Sequence, residues 1–456
     1  MTTPTLPPDV FDALPPAVQA YIRYLEARLA DLEARLDRNS TNSSKPPSSD
    51  GPHVKPAPPR SPSGKRRGGQ PGHPRHDRVI LPPDEVIDHK PTHCRGCHAA
   101  VAGDDPEPIT DQVIELPTRL RHVTHHRRHT LTCARRAALT TAPPVPAVGS
   151  GFGPRLTAAT AYPSGVGRLG KRSIRTPFAD LCGIPVSLGV VSELEATVSR
   201  ALDPIHAEAH AHARGRDANV DETGWTQGKD KARLWVAATN LLTVFRIRPN
   251  RNRAAFDDLV GPTPGVLTTD RFPVYTHLGG DPRQVCWAHP RRDFQAMIDR
   301  ADGGGVIGEE LLAHADILSD HWRKVRDGTR TRRWFDRTHR PWPRHEVRVL
   351  LARGTACGCA RAATVCRELL GVESSLWTFA GRAGVEPTNN AAERAVRHAV
   401  CWRKTSHGTD SERGSRFVER ILTVVATCRQ QERGVLDFLI QALSGIHKPS
   451  LLPVGA

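Results

Sequence analysis

Between Val18 and Leu36 the apolar positions Val18, Ile22, Leu25, Leu29, Leu32 and Leu36 recur in steps of four and three, with Glu, Arg and Asp between them. That spacing is the seam of a coiled coil and predicts a zipper helix within residues 1–38. About two and a half heptads make a marginal isolated pair, so a helix docked on its own domain is the competing reading to a homo-oligomer. The pattern stops at Asn39 and Ser40, and residues 39–78 carry Ser, Pro, Gly and basic side chains but no periodic apolar face. Such a stretch cannot build a core and reads as a basic linker.

Residues 79–145 alternate like short strands around Cys94-Arg95-Gly96-Cys97 and Cys133. A Cys-x-x-Cys knuckle suits tetrahedral zinc, so Cys94, Cys97 and Cys133 are candidate ligands of a small zinc-ribbon-like, DNA-binding domain. The position three after Cys133 is Arg136, so a fourth ligand has to be a His such as His93, His98, His125, His126 or His129; a knuckle without metal is the alternative. Residues 150–214 read as helices broken by Gly and Pro, ending in a run from Val191 to His212, with a loose helix-turn-helix pattern from Cys182 to Leu202.

From about 215 the texture changes. Three short alternating runs, at 218–225, 233–239 and 242–247, predict an antiparallel meander. A helix at about 252–260, a buried strand at 265–270, a run Gln284–Trp287 and a helix from His289 to Ile298 follow, an order that adds parallel strands to the meander. Residues 301–385 read as helices, and 386–456 as a return to the core and a C-terminal element.

Composition narrows the chemistry. The 456 residues hold 64 Lys and Arg against 48 Asp and Glu, a formal net charge of +16, and the pI is near 9.9. A polyanionic partner is expected, because net charge governs association rather than fold. Seven Lys or Arg and one Asp lie between 51 and 78, and Lys65, Arg66 and Arg67 are candidate phosphate contacts, as are Arg127 and Arg128 further on. No stretch approaches the roughly 20 apolar residues of a membrane span. The opening residues lack a basic and apolar leader, so a cytoplasmic setting with reduced thiols is expected.

Asp221 on the first core strand and Asp270 at the carboxyl end of the fourth sit at comparable places, where neighbouring strands bring two carboxylates to one cation. Mg²⁺ takes oxygen ligands and keeps several waters, and two-metal phosphodiester chemistry needs a third acid. Glu393 supplies it: Thr388 or Asn389 caps a helix beginning there, which puts Glu393 in its second turn. Glu386, before a proline, is set aside. After Glu393 come Arg394, Arg397, Arg403, Lys404 and Arg413, well placed for a phosphate backbone. Trp225 and Trp402 are core residues or stacking platforms for an unpaired base. Cys286, Trp287 and His289 read as a packed strand-to-helix junction.

Asp221-Glu222-Thr223-Gly224-Trp225, Thr269-Asp270-Arg271 with Cys286-Trp287-Ala288-His289 and Arg292-Asp293-Phe294, Pro387-Thr388-Asn389-Asn390-Ala391-Ala392-Glu393-Arg394 and Ser411-Glu412-Arg413-Gly414 closely resemble the insertion sequence 66 family of bacterial transposases. The resemblance extends to the zipper, the Asn-Ser-Ser-Lys-Pro-Pro-Ser-Ser-Asp linker and the Gly-Gly-Gln-Pro-Gly-His segment. It implies an α+β multidomain protein with a ribonuclease H-like (RNase H-like) core of the Asp-Asp-Glu type, split between 215–300 and 386–456 by a helical insertion. It also implies Asp221, Asp270 and Glu393 as ligands of two Mg²⁺ or Mn²⁺ ions. The activity implied is cleavage of double-stranded DNA at the element's own ends and strand transfer to target DNA, with accessory proteins as further partners. Two departures stand out: the family's zinc segment commonly has two Cys pairs, and Ala161–Thr176, with Gly165, Gly167 and Gly170, looks unlike the helical stretch expected there. A cleavage-only nuclease, or an inactive remnant that only binds DNA, is the alternative function.

Overall fold

The computed structural model describes residues 8–39, 43–45, 80–93, 95–100, 102–108, 111–117, 120–132, 139–143, 151–261, 265–278, 283–300, 303–339, 341–445 and 448–453. Lys65, Arg66, Arg67, Cys94 and Cys133 lie outside them. A short α1 (Pro8–Asp12) precedes α2 (Pro16–Leu36), which starts with proline at its first position, where no amide hydrogen is needed. On α2, Val18, Leu25, Leu29, Leu32 and Leu36 are exposed, so the zipper face is uncovered in the single chain. In the knuckle region an antiparallel pair, β1 (Thr130–Thr132) and β2 (Leu139–Thr141), and a bridge between His93 and Ala100 are present, and Cys97 is exposed.

Three helices follow: α3 (Pro154–Gly167), α4 (Lys171–Asp180) and α5 (Leu188–Ala213). The glycines of 161–176 therefore do not abolish helix; Arg168 ends α3 in the left-handed conformation and Gly170 leads into α4. Gly165 has a packing reason, since a methyl group there would overlap the Ile421 side chain. Ser187 caps α5 by accepting the Val190 amide at 3.2 Å.

The core sheet has the order β5-β4-β3-β6-β7. Its meander is β3 (Ala218–Gln227), β4 (Asp230–Ala238) and β5 (Thr243–Arg248), antiparallel throughout. After α6 (Arg253–Val260), β6 (Leu267–Thr269) pairs parallel with β3, and β7 (Arg283–Val285) pairs parallel with β6. Strand alternation splits the core in two. Trp225, Leu234 and Val236 pack with α3, α5 and the C-terminal helices, while Val220, Trp235 and Ala237 pack with Phe256 of α6 and Tyr275 of a 3-10 turn, Pro273–Leu278.

Helix α7 (Ala288–Asp299) leads into the insertion, α8 (Gly305–Arg326), α9 (Arg332–His339), α10 (Trp342–Gly354), α11 (Ala360–Gly371), α12 (Glu373–Leu376) and α13 (Thr378–Gly381). The insertion has its own apolar cluster, in which Trp322, Phe335 and Phe379 meet ring to ring. The chain then returns to the sheet as α14 (Asn390–Ser406), α15 (Glu412–Gln430) and α16 (Val435–Ser444). The fold is thus a mixed helix and sheet architecture around one mixed five-stranded sheet.

Candidate active site

Strand register brings the first two acids together. In the parallel pair β3 and β6, Ala218 stands opposite Leu267 and Asn219 opposite Thr268. The same offset carried two residues further points Asp221 toward Asp270, the residue that follows the end of β6. Asp221 shares its sheet face with Trp225, the face on which α14 packs.

The third acid arrives through the turn before α14. The Trp287 amide donates to the Pro387 carbonyl (2.9 Å) and the Asn219 side chain donates to the Thr388 carbonyl (3.2 Å). Asn389 is the N-cap residue, but its side chain makes no capping bond; Nδ2 donates to the Val220 carbonyl at 2.8 Å. Glu393 then falls in the first turn of α14, one turn earlier than the sequence suggests. Glu386 accepts the Trp322 indole N–H at 2.8 Å and belongs to the insertion's packing.

Electrostatics report how close the carboxylates are. Asp221 is pushed up to about 7, first by burial, next by the charge of Glu222, with Asp270 and Glu393 adding to it, against a lowering hydrogen bond from the Glu222 amide. Three carboxylates within electrostatic range of one another and partly withheld from water are a set of hard oxygen donors. That donor set suits Mg²⁺ or Mn²⁺. Asp270 also accepts the Phe272 amide at Oδ1 (2.9 Å), which fixes its side chain.

Asp270 lines a cleft of about 520 Å³ whose walls also include Arg251, Arg271, His289, Arg292 and Asp293. Arg271 pairs with Asp293 and with Glu368, and Arg251 pairs with Glu222 while lying 3.2 Å from the Phe272 ring centre. Glu222 also accepts the Tyr275 hydroxyl at 2.7 Å. Burial pushes His289 down to about 4 and Cys286 up to about 11, so at neutral pH both are uncharged.

The basic candidates divide. Arg394, Arg397, Lys404 and Arg413 are exposed; the first three share one face of α14, and Arg413 pairs with Glu193 at 3.1 Å. Arg403 turns inward to the Gly224 carbonyl and the Thr223 hydroxyl, so its charge clamps α14 to β3. Arg127 and Arg128 are exposed, and Arg128 donates to the Ala142 carbonyl at 2.7 and 2.9 Å. Trp225 and Trp402 are buried at 3% and 7% exposure, which makes them core residues.

Two features escaped the sequence reading. Asn389 is a sheet tie rather than a side-chain cap, and nothing in its spacing signals that. Cys286 and His289 belong to a packed junction, and beside that the Cys286 thiol, a His289 ring nitrogen and a Glu393 oxygen all lie within 4.8 Å of one another. The Cys-x-x-His spacing was the available signal.

Residues 149–416 match the Transposase IS66 family, and residues 10–79 match a family of unknown function, DUF6444. Among curated proteins, the chain is 24% identical over 407 residues to "Uncharacterized protein y4hP" of Sinorhizobium fredii (strain NBRC 101917 / NGR234), covering 80% of this chain and 72% of that protein. It is also 24% identical over 244 residues to "Uncharacterized protein y4qI" of the same strain, an alignment covering 49% of this chain and 43% of that one. With more than half its length matching the family, this chain belongs to the IS66 family of transposases.

Proposed function

We propose that the protein is a metal-dependent DNA transposase with an RNase H-like core of the Asp-Asp-Glu type, acting on the ends of its own mobile element. The observation that supports this reading is that Asp221 on β3 lies within electrostatic range of Asp270, just past the end of β6, and of Glu393 in the first turn of α14.

Asp221, Asp270 and Glu393 would hold two Mg²⁺ or Mn²⁺ ions. Bound there, the metal supplies charge neutralisation at the phosphate and an attacking oxygen of lowered pKa, first for hydrolysis and then for strand transfer by the freed 3′-hydroxyl. The side chains act mainly by positioning. Asn389 fixes the helix bearing Glu393 against β3, and Arg403 clamps that helix further along. Arg394, Arg397 and Lys404 offer one positive face to the phosphate backbone. The uncovered apolar face of α2 pairs two copies of the chain, so that both DNA ends are held in one assembly.

A cleavage and joining assay tests the reading, using purified protein, Mg²⁺ and labelled DNA carrying the sequences that flank the gene. Products made by the natural protein and lost in Asp270→Ala support it. Cleavage without joined products leaves a nuclease, and DNA binding without either product, with or without accessory proteins, leaves a remnant that only binds.

A further inference from the structure

Glu393 has donors of two kinds near it: the carboxylate of Asp221, and the Cys286 thiol and His289 ring. Cys286 ends the run from β7, and His289 lies in the first turn of α7, its amide donating to the Cys286 carbonyl at 3.3 Å. Residues three apart on a helical turn face one way. Both therefore point toward Glu393, and the three donor atoms lie within 4.8 Å of one another. Zinc ligands stand roughly 2.0–2.3 Å from the ion, so a tetrahedral set has donors about 3.5 Å apart, and small side-chain rotations close the difference.

Buried ring nitrogens usually find a partner. One nitrogen each of His206, His210 and His398 does so, meeting the Phe245, Asp258 and Gly165 carbonyls at 3.0, 2.8 and 2.7 Å. The Nδ1 of His289, like that of His339, is buried with no hydrogen-bond partner, and of the two only His289 stands beside a thiol and a carboxylate. The Cys286 sulfur already accepts the Asn389 amide at 3.1 Å, a bond that also favours a thiolate.

We infer that Cys286, His289 and Glu393 form a binding site for a thiophilic divalent cation of the Zn²⁺ class. Sulfur and imidazole donors select such ions over Mg²⁺, and three protein ligands leave one position for water. Binding releases the Cys286 thiol proton to solvent, and thiolate plus carboxylate balance the ion's two charges. Because the site takes Glu393, Zn²⁺ there competes with the hard cation held with Asp221 and Asp270. This consequence rests on the proposed catalytic reading of Glu393; the site itself does not.

Co²⁺ titration of the full-length protein tests the site, read by the sulfur-to-cobalt charge-transfer band and confirmed by displacement with Zn²⁺. Wild type, Cys286→Ser and His289→Ala are compared, with circular dichroism reporting the fold. Other thiols, Cys94, Cys97 and Cys133 among them, add the same background to all three proteins. The expected result is the loss of one Co²⁺ equivalent in each variant, or at least a tenfold weaker affinity for it. Superimposable titrations in natively folded variants overturn the inference. Should Cys286→Ser fail to fold, His289→Ala alone decides between these results.

A second arm separates the two proposals. If the Co²⁺ site forms and Zn²⁺ suppresses Mg²⁺-supported DNA cleavage, needing about tenfold more Zn²⁺ in His289→Ala, both readings stand. If the Co²⁺ site forms and Zn²⁺ leaves cleavage untouched, the metal site stands and the catalytic role of Glu393 falls.

Discussion

The side chain of Asn389 donates to the Val220 carbonyl at 2.8 Å, joining the start of the helix that carries Glu393 to the strand residue beside Asp221. Its amide donates to the Cys286 sulfur as well, so one residue ties α14 to both β3 and the junction after β7. The third acid is placed through this residue.

Asn389→Ala removes the tie and leaves the Val220 carbonyl without that partner in a buried place. Stability should fall by about 1–3 kcal/mol. DNA cleavage should fall by about 10–100-fold through kcat, as for loss of a group that orients a metal ligand, while DNA affinity holds. Single-turnover cleavage beside a binding titration separates the two; an equal loss in both would show a merely structural role.

The raised Asp221 makes metal-free stability pH-dependent in a defined direction. In the unfolded chain its proton leaves near pH 4, and in the folded protein near 7. Between these values the folded state holds the extra proton, so this group's contribution is most favourable below pH 4 and declines as pH rises through 7. Asp221→Asn should therefore stabilise the metal-free protein at pH 8 by up to a few kcal/mol and have little effect near pH 4. Added Mg²⁺ should raise the Tm of the natural protein more than that of the variant, and thermal melts at the two pH values check both points.

His206 works the opposite way. Burial pushes it down to about 3 while its ring meets the Phe245 carbonyl, so the folded protein keeps it neutral where the unfolded chain protonates it. That stability is complete above pH 6.5 and is lost as pH falls toward 3. Urea unfolding of His206→Gln should show a flatter acid limb between pH 6.5 and 4 than the natural protein; unchanged curves would mean that His206 does not drive the acid limb.

At Gly165 two effects have opposite signs. Alanine inside a helix ordinarily gains about 0.5–1 kcal/mol over glycine, but here the added methyl meets Ile421 of α15. Overpacking typically costs about 1–3 kcal/mol, so Gly165→Ala should lower the Tm, and Gly165→Ala with Ile421→Val should recover part of the loss. A higher Tm for the single variant would show that α3 and α15 do not meet closely.

Much of the core sheet was legible because each strand declares its own pattern. The meander at 218–247 alternates clearly, and Asp221 on its first strand and Asp270 at the end of the strand that follows the meander could both be picked before any contact was known. The Glu393 helix was legible from its polar opening and the Arg-rich face that follows. What stayed hidden depends on distant contacts. Gly165 reads as a helix breaker until Ile421 is seen beside it, and Arg403 reads as one more surface cation until the Gly224 carbonyl is found to hold it. Glu222 is ordinary in sequence, and its bonds to Tyr275 of the 3-10 turn and to Arg251 before α6 arise only when those distant segments fold against β3.

The meeting of the three acids is tested most directly by Mn²⁺ binding followed by electron paramagnetic resonance, in the natural protein and in Asp221→Asn, Asp270→Asn and Glu393→Gln. The expected result is Mn²⁺ binding by the natural protein that each single substitution weakens by about tenfold or more, since all three carboxylates serve one centre. Mn²⁺ binding that survives unchanged in all three variants would contradict a shared metal site at Asp221, Asp270 and Glu393.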